Sequence, residues 1–119
     1  MGVTEVANGL VTLCKAGKFD EAVATYYGDN IVSVEPMAQE GQSPISTGIE
    51  AVKAKAEWWN STFEVNSATV TGPFVNGDTF NVVFALDVTN RETGKQTHME
   101  ETALYKVEGD KIVHETFFM

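Results

Sequence analysis

The sequence has one cysteine, few bases and no long apolar run, and each shortage excludes something. Cys14 stands alone, so no intrachain disulfide can form. Its neighbours Leu10, Leu13 and Phe19 predict a buried, inert thiol. Lysine and arginine number 8 against 17 aspartates and glutamates, a formal net charge of −9, and the acids are spread rather than blocked. That balance disfavours nucleic acid and anionic membrane surfaces as partners, and no basic patch interleaved with aromatics offsets it. No apolar stretch approaches the ~20 residues of a membrane span. A basic start followed by an apolar stretch is also missing, so no secretory signal is expected and the chain is read as cytoplasmic. Asn60-Ser61-Thr62 is then a chance match to a glycosylation sequon. The only two histidines, His98 and His114, do not combine with Glu100 and Glu101 at the spacing of a metal motif, so neither metal nor cofactor is expected.

What remains is an ordinary globular composition, 43% hydrophobic and 21% charged. The 119 residues are read as a single domain, 1–119, large enough to bury roughly two-thirds of the surface its unfolded chain would expose. Helical signals fill the first half and strand signals the second, the pattern of an α+β fold. Val3, Val6, Leu10 and Leu13 recur at spacings of three and four and predict a helix over residues 3–16, stopped by Gly17. A short helix follows over 19–27, with Asp20 and Glu21 in its first turn, Phe19, Val23 and Tyr26 on its apolar stripe, and Gly28 as its stop. Residues 31–36 alternate as a strand that points Ile31, Ser33 and Glu35 to one side. After a loop rich in Gly, Ser, Pro and Gln, Thr47-Gly48-Ile49-Glu50 predicts a capping box that opens a third helix. Ile49, Val52, Ala56, Trp59 and Phe63 carry its apolar face.

Beyond residue 63 the period becomes two. Strands are expected at 64–75, 79–90, 96–107 and 111–118, joined at Asn76-Gly77-Asp78, Arg91 to Gly94 and Glu108-Gly109-Asp110 into an antiparallel meander. A four-residue loop at 91–94 sets Phe84 opposite Glu101, Val82 opposite Ala103 and Asp87 opposite His98. A three-residue last turn with a bulge sets Glu115 opposite Ala103 and Phe117 opposite Glu101. One face then carries Val82, Phe84, Leu86, Val88, Met99, Glu101, Ala103, Tyr105, Val113, Glu115 and Phe117. The other carries Val83, Ala85, Asp87, His98, Glu100, Thr102, Leu104, Ile112, His114 and Phe118. The first face belongs under the helices. Carboxylates on so apolar a surface are costly unless paired, protonated or beside a cavity, so Glu101 and Glu115 mark a pocket. A last turn of two residues would exchange the faces of His114 and Glu115, because a one-residue slip inverts every side chain. The second face is mixed and suits a homodimer contact.

The helices, the meander, Thr-Gly-Ile-Glu-Ala-Val at 47–52 and Gly-Asp-Lys-Ile-Val-His-Glu-Thr-Phe-Phe at 109–118 together resemble the SnoaL-like group of the nuclear transport factor two-like, ketosteroid-isomerase-like superfamily. The resemblance spans the whole chain. It implies a cone-shaped roll with three N-terminal helices packed on a curved, mainly antiparallel sheet. Ketosteroid isomerases carry an Asp-Pro base at the end of the first strand, and Glu35-Pro36 sits at that place. Their oxyanion hole uses a Tyr on the first helix and a protonated Asp on the penultimate strand. Leu10 and Ala103 occupy those places here and can donate nothing. Each such lost donor costs about 10²–10³ in rate, so the chain is not read as a true ketosteroid isomerase. The expected function is binding of a small hydrophobic or cyclic molecule in the cone, with isomerase- or cyclase-type acid–base chemistry using Glu35 as the base, and Glu101 and Glu115 as the further candidate catalytic carboxyls. Tyr27, Trp58, Phe84, Met99, Tyr105 and Phe117 are the expected ligand-binding residues, with Trp58 as a roof and the Tyr26 and Tyr27 hydroxyls at the mouth. The competing expectation is a non-catalytic domain acting through its outer sheet face.

Overall fold

The structure is a computed structural model and describes residues 2–38 and 41–119. Gln39 and Glu40, within the expected loop, and Met1 lie outside the described residues. Three helices pack on one six-stranded curved sheet. In chain order the elements are α1 (Val3–Lys15), α2 (Phe19–Tyr26), β1 (Tyr27–Val34), β2 (Ile45–Thr47), α3 (Ile49–Thr62), β3 (Phe63–Asn76), β4 (Thr79–Asn90), β5 (Gln96–Glu108) and β6 (Lys111–Phe118). The sheet order is β2-β1-β6-β5-β4-β3. All neighbours are antiparallel except β1 and β6, which run parallel. The architecture is the α+β roll expected from the sequence.

Helix α1 buries Val6, Ala7, Leu10, Val11 and Cys14. It ends as its sequence dictates. Gly17 adopts φ +75°, and the amides of Gly17 and Lys18 return to the carbonyls of Cys14 and Leu13 at 3.0 and 2.8 Å. Two other local expectations fail to tertiary pairing. Gly28 does not stop α2, because the chain passes straight into β1 and Gly28 lies inside that strand. A Cβ there would meet the Ile112 carbonyl oxygen at 3.4 Å, an ordinary contact, so pairing with β6 rather than a steric need for glycine places it in the strand. The capping box at Thr47 does not form either. Thr47 is the last residue of β2, paired with Val32, while Gly48 caps α3 at φ +91° and gives its amide to the Ile31 carbonyl at 2.7 Å. The strand ladder holds Thr47 extended, so its hydroxyl makes no cap bond. The three-residue β2 itself had no sequence signal.

The β4–β5 register is the expected one, with Phe84 opposite Glu101, Val82 opposite Ala103 and Asp87 opposite His98. The last hairpin differs. Its turn holds two residues, Gly109 and Asp110, between the pair Glu108 and Lys111. The following irregularity, where Val107 pairs with Ile112 but Lys106 with His114, inserts Val113 as an extra residue and restores the phase. Glu115 therefore faces inward, opposite Tyr105, and Phe117 lies opposite Ala103, two residues from the expected partners. Ile112, expected on the outer face, is fully buried, and Val113, expected inside, is the half-buried bulge residue. The core gathers Val6, Leu10, Ile31, Phe80, Val82 and Ile112 between helices and sheet, with Phe80 stacked on Tyr105 at 4.8 Å between ring centroids.

Candidate functional site

Where the sheet curls away from α2 and α3, the inner face is not filled, and a cavity of about 320 Å³ opens. Its apolar walls include Leu10 and Cys14 of α1, Phe19 of α2, Val52 and Trp59 of α3, and Phe84 and Leu86 of β4. Glu35, Glu101, Tyr27, Met99, Tyr105, Glu115 and Phe117 all line it, as does one residue the sequence reading overlooked, Lys55. Lys55 follows Val52 by three and precedes Trp59 by four, so helical spacing alone puts it on the inward face. Apolar periodicity does not mark a lysine, so the spacing of Val52, Ala56 and Trp59 passes over it.

Trp58 is a correction. It is 49% exposed, outside the cavity, with its ring edge-on to Phe63 at 6.5 Å. One helical step is about 100°, so Trp58 and Trp59 cannot share the inward face, and Trp59 is the one that lines the cavity. Tyr27 is also misplaced by the sequence reading. It lies in the floor rather than at the mouth, buried, with its hydroxyl donating to Glu115 Oε1 at 2.5 Å.

The polar groups form a short chain across three elements. Lys55 Nζ donates to Ser33 Oγ and to Glu35 Oε1, each at 2.6 Å. Ser33, fully buried on β1, stands opposite Glu115 in the parallel ladder. The Lys55 ammonium also lies 5.5 Å from the Phe117 ring centroid. Glu101, on β5, takes no part in these bonds. Burial, then the charges of Glu35 and Glu115, push its carboxyl up to about 7, against the opposing pull of Lys55. Burial likewise raises Glu115, held back by hydrogen bonds from Tyr27 and Ser33 and by Lys55. Burial drives the Tyr27 and Tyr105 hydroxyls well above their ordinary range, so both stay protonated. The Cys14 thiol is pushed up to about 12, by burial and then by Glu115, which leaves it without nucleophilic character. The site thus places one carboxyl that titrates near neutrality against a fixed ion pair in an apolar cavity.

The histidines lie elsewhere. His98 is exposed on the outer face, with Nδ1 2.8 Å from Asp87 Oδ1, while Ser67 donates to Asp87 Oδ2 at 2.8 Å. The His98 and Ser67 hydrogen bonds hold the Asp87 carboxyl low, and Asp87 in turn raises His98. His114 is half-buried on the same face, with Nδ1 3.3 Å from Thr116 Oγ1. Among the described residues, no three His, Cys, Asp or Glu side chains gather to hold a metal, and no helix is long and apolar enough to cross a membrane.

Comparison with known proteins fits this geometry. Residues 1–119 match the model of the SnoaL-like domain. A search of curated proteins finds no match. Among solved structures, a Mesorhizobium loti protein assigned as a SnoaL-like polyketide cyclase, with carbohydrate phosphatase given as a bracketed alternative, is 39% identical, and the match covers 100% of both chains at a TM-score of 0.92. A Bacillus subtilis protein assigned as an isomerase shares the fold at 18% identity and TM-score 0.81, over 98% of this chain and 88% of its own. A nuclear transport factor two-like protein of Burkholderia pseudomallei does so at 12% identity and TM-score 0.76, over 98% and 89%. With the family model matched from end to end and the cone fold in place, this chain belongs to the SnoaL-like family.

Proposed function

We propose that the cavity binds a small hydrophobic or cyclic carbonyl compound and moves a proton next to its carbonyl, as isomerases and aldol-type cyclases do. The supporting observation is Glu101: a carboxyl inside an apolar cavity, with its pKa raised to about 7, is well matched to give and take a proton at neutral pH. In the step envisaged, the Glu101 carboxylate takes a proton from the carbon beside the carbonyl. The C–H electron pair becomes the new C=C bond, and the C=O pair moves onto oxygen. Where a C=C adjoins that carbon, returning the proton to its far end isomerises the ligand; attack of the enolate carbon on a second carbonyl closes a ring, and the alkoxide so formed takes the proton back from Glu101. Glu35 is the weaker candidate for base, because Lys55 already holds its carboxylate. The polyketide cyclase assignment of the Mesorhizobium loti protein, 39% identical, favours the cyclase form.

The test is a thermal-shift screen of cyclic ketones and polyketide-like aromatics on the wild type, Glu35→Gln and Glu101→Gln. A hit whose shift is lost in Glu101→Gln, with turnover lowered about 10²–10⁴-fold, supports the reading. A shift unaffected by both substitutions removes these carboxyls from the site.

A second reading rests on the outer face, where Phe118 is 53% exposed beside the half-buried Leu104 and Val83. It makes the protein a homodimer, or a module for another partner, through that sheet. A cytoplasmic location fits either reading.

A further inference from the structure

The proposed chemistry leaves a charge on the ligand's oxygen, so the cavity needs a donor or a cation where that oxygen comes to rest. We propose that Lys55 is the oxygen-binding group of the cavity, and that its ligands are apolar rings bearing one oxygen able to become an anion, such as ketones that enolise or phenols. This rests on the ligand reading above and adds the group that selects the ligand.

Three observations carry it. Lys55 is the only lysine or arginine among the described residues lining the cavity, so it is the one place where negative charge can gather there. An ammonium has three N–H donors. Two go to Ser33 Oγ and Glu35 Oε1, which fix the nitrogen at 2.6 Å from each and leave the third donor for another acceptor. The Phe117 ring, 5.5 Å from the nitrogen, and Trp59, on the same face of α3, supply apolar surface around that donor. A ring lying among Phe84, Trp59 and Phe117 would bring a substituent oxygen to the ammonium.

The charged and titratable groups lining the cavity around Lys55 come from every wall: Asp20 of α2, exposed at the rim, Glu35 after β1, Glu101 of β5 and Glu115 of β6, with the neutral Tyr27 and Tyr105 hydroxyls and the Cys14 thiol behind. With Glu101 and Glu115 protonated, Lys55 and Glu35 balance and an oxyanion is tolerated. With both ionised, it is repelled. Anion binding must therefore weaken as the pH rises through the Glu101 titration, whereas binding of a ring without oxygen must not.

β-Naphthol reads this directly, because its absorbance separates naphthol from naphtholate, and naphthalene is its oxygen-free control. The bound fraction and ionisation of both would be titrated on the wild type, Lys55→Met and Lys55→Arg, with folding checked by circular dichroism. Lys55→Gln replaces Lys55→Met if the latter does not fold. The expected result is that the wild type binds naphtholate about 10- to 100-fold more tightly than Lys55→Met, the range of a charge-assisted hydrogen bond. Lys55→Arg keeps part of the preference, and naphthalene affinity is unchanged in all three. Equal ionisation of bound naphthol in wild type and Lys55→Met overturns the role of Lys55 while leaving the cavity reading intact. Failure of the wild type to bind either probe overturns the cavity reading, and this assignment with it.

Discussion

Glu101 and Glu115 are acids whose environment favours the neutral form, and that reverses the usual relation between acid and stability. An acid with a folded pKa above its unfolded one binds more protons when folded, so raising the pH through that interval weakens the fold. For Glu101 the interval runs from 4.5 to about 7. The loss is of order 3 kcal/mol by the linkage relation. Glu115 shifts in the same direction. Urea denaturation at pH ~5 and pH ~8 should therefore find the wild type less stable at the higher pH. Glu101→Gln, which cannot ionise, should flatten that difference and be the more stable protein at pH ~8, by about 1–3 kcal/mol. A wild type that gains stability between the two pH values would mean that these carboxyls are not buried as described.

At the scale of elements, one extra residue decides the orientation of the site. The two-residue turn after Glu108 sets Ile112 inward opposite Val107, and without correction the alternation would continue regularly from there. Val113 is the additional residue, and His114 and Glu115 then resume opposite Lys106 and Tyr105. Removing Val113 leaves Ile112 inward, His114 outward and Glu115 inward, because the bulge is excised and the phase beyond it is untouched. Deleting Val113 should thus keep a cooperative fold at a cost of about 1–3 kcal/mol, the ordinary range for a local lesion. Deleting Thr102 from the middle of β5 instead would turn either Met99 and Glu101, or Ala103, Tyr105 and Val107, to the outer face, and that variant should not fold cooperatively. Chemical denaturation of the two deletion variants measures the contrast. A Val113 deletion as damaging as that of Thr102 would show that the bulge side chain, rather than the phase, is what matters.

At the scale of the molecule, the same sheet serves two surfaces. Its inner face forms the cavity, and its outer face carries Leu104, Val83 and Phe118 among polar groups. If that face pairs two copies, sedimentation should give twice the 13.0 kDa chain mass. Leu104→Lys should return it to the monomer without affecting binding in the cavity, since Leu104 points away from it. A wild type that sediments as a monomer at micromolar concentration would end the homodimer reading. The charge of −9 acts at this scale too, since a net negative charge disfavours association with polyanions.

The order of the three helices and of every strand but the short β2, the four-stranded meander and the inward phase of Glu101 were legible in the sequence, because periodicity and turn residues are local properties of the chain. The family likeness was legible for the same reason, through the segments at 47–52 and 109–118. Local reading failed wherever a distant segment competed for the same backbone. Pairing with β1 took Thr47 from its cap, contact with β6 took Gly28 into a strand, and the bulge at Val113 set the partners of Glu115. The composition of the cavity was likewise a tertiary matter. That Lys55 reaches Ser33 and Glu35, and that Trp59 rather than Trp58 lines the cavity, depends on how α3 is rotated over the sheet, and that rotation is fixed by packing between residues far apart in the chain.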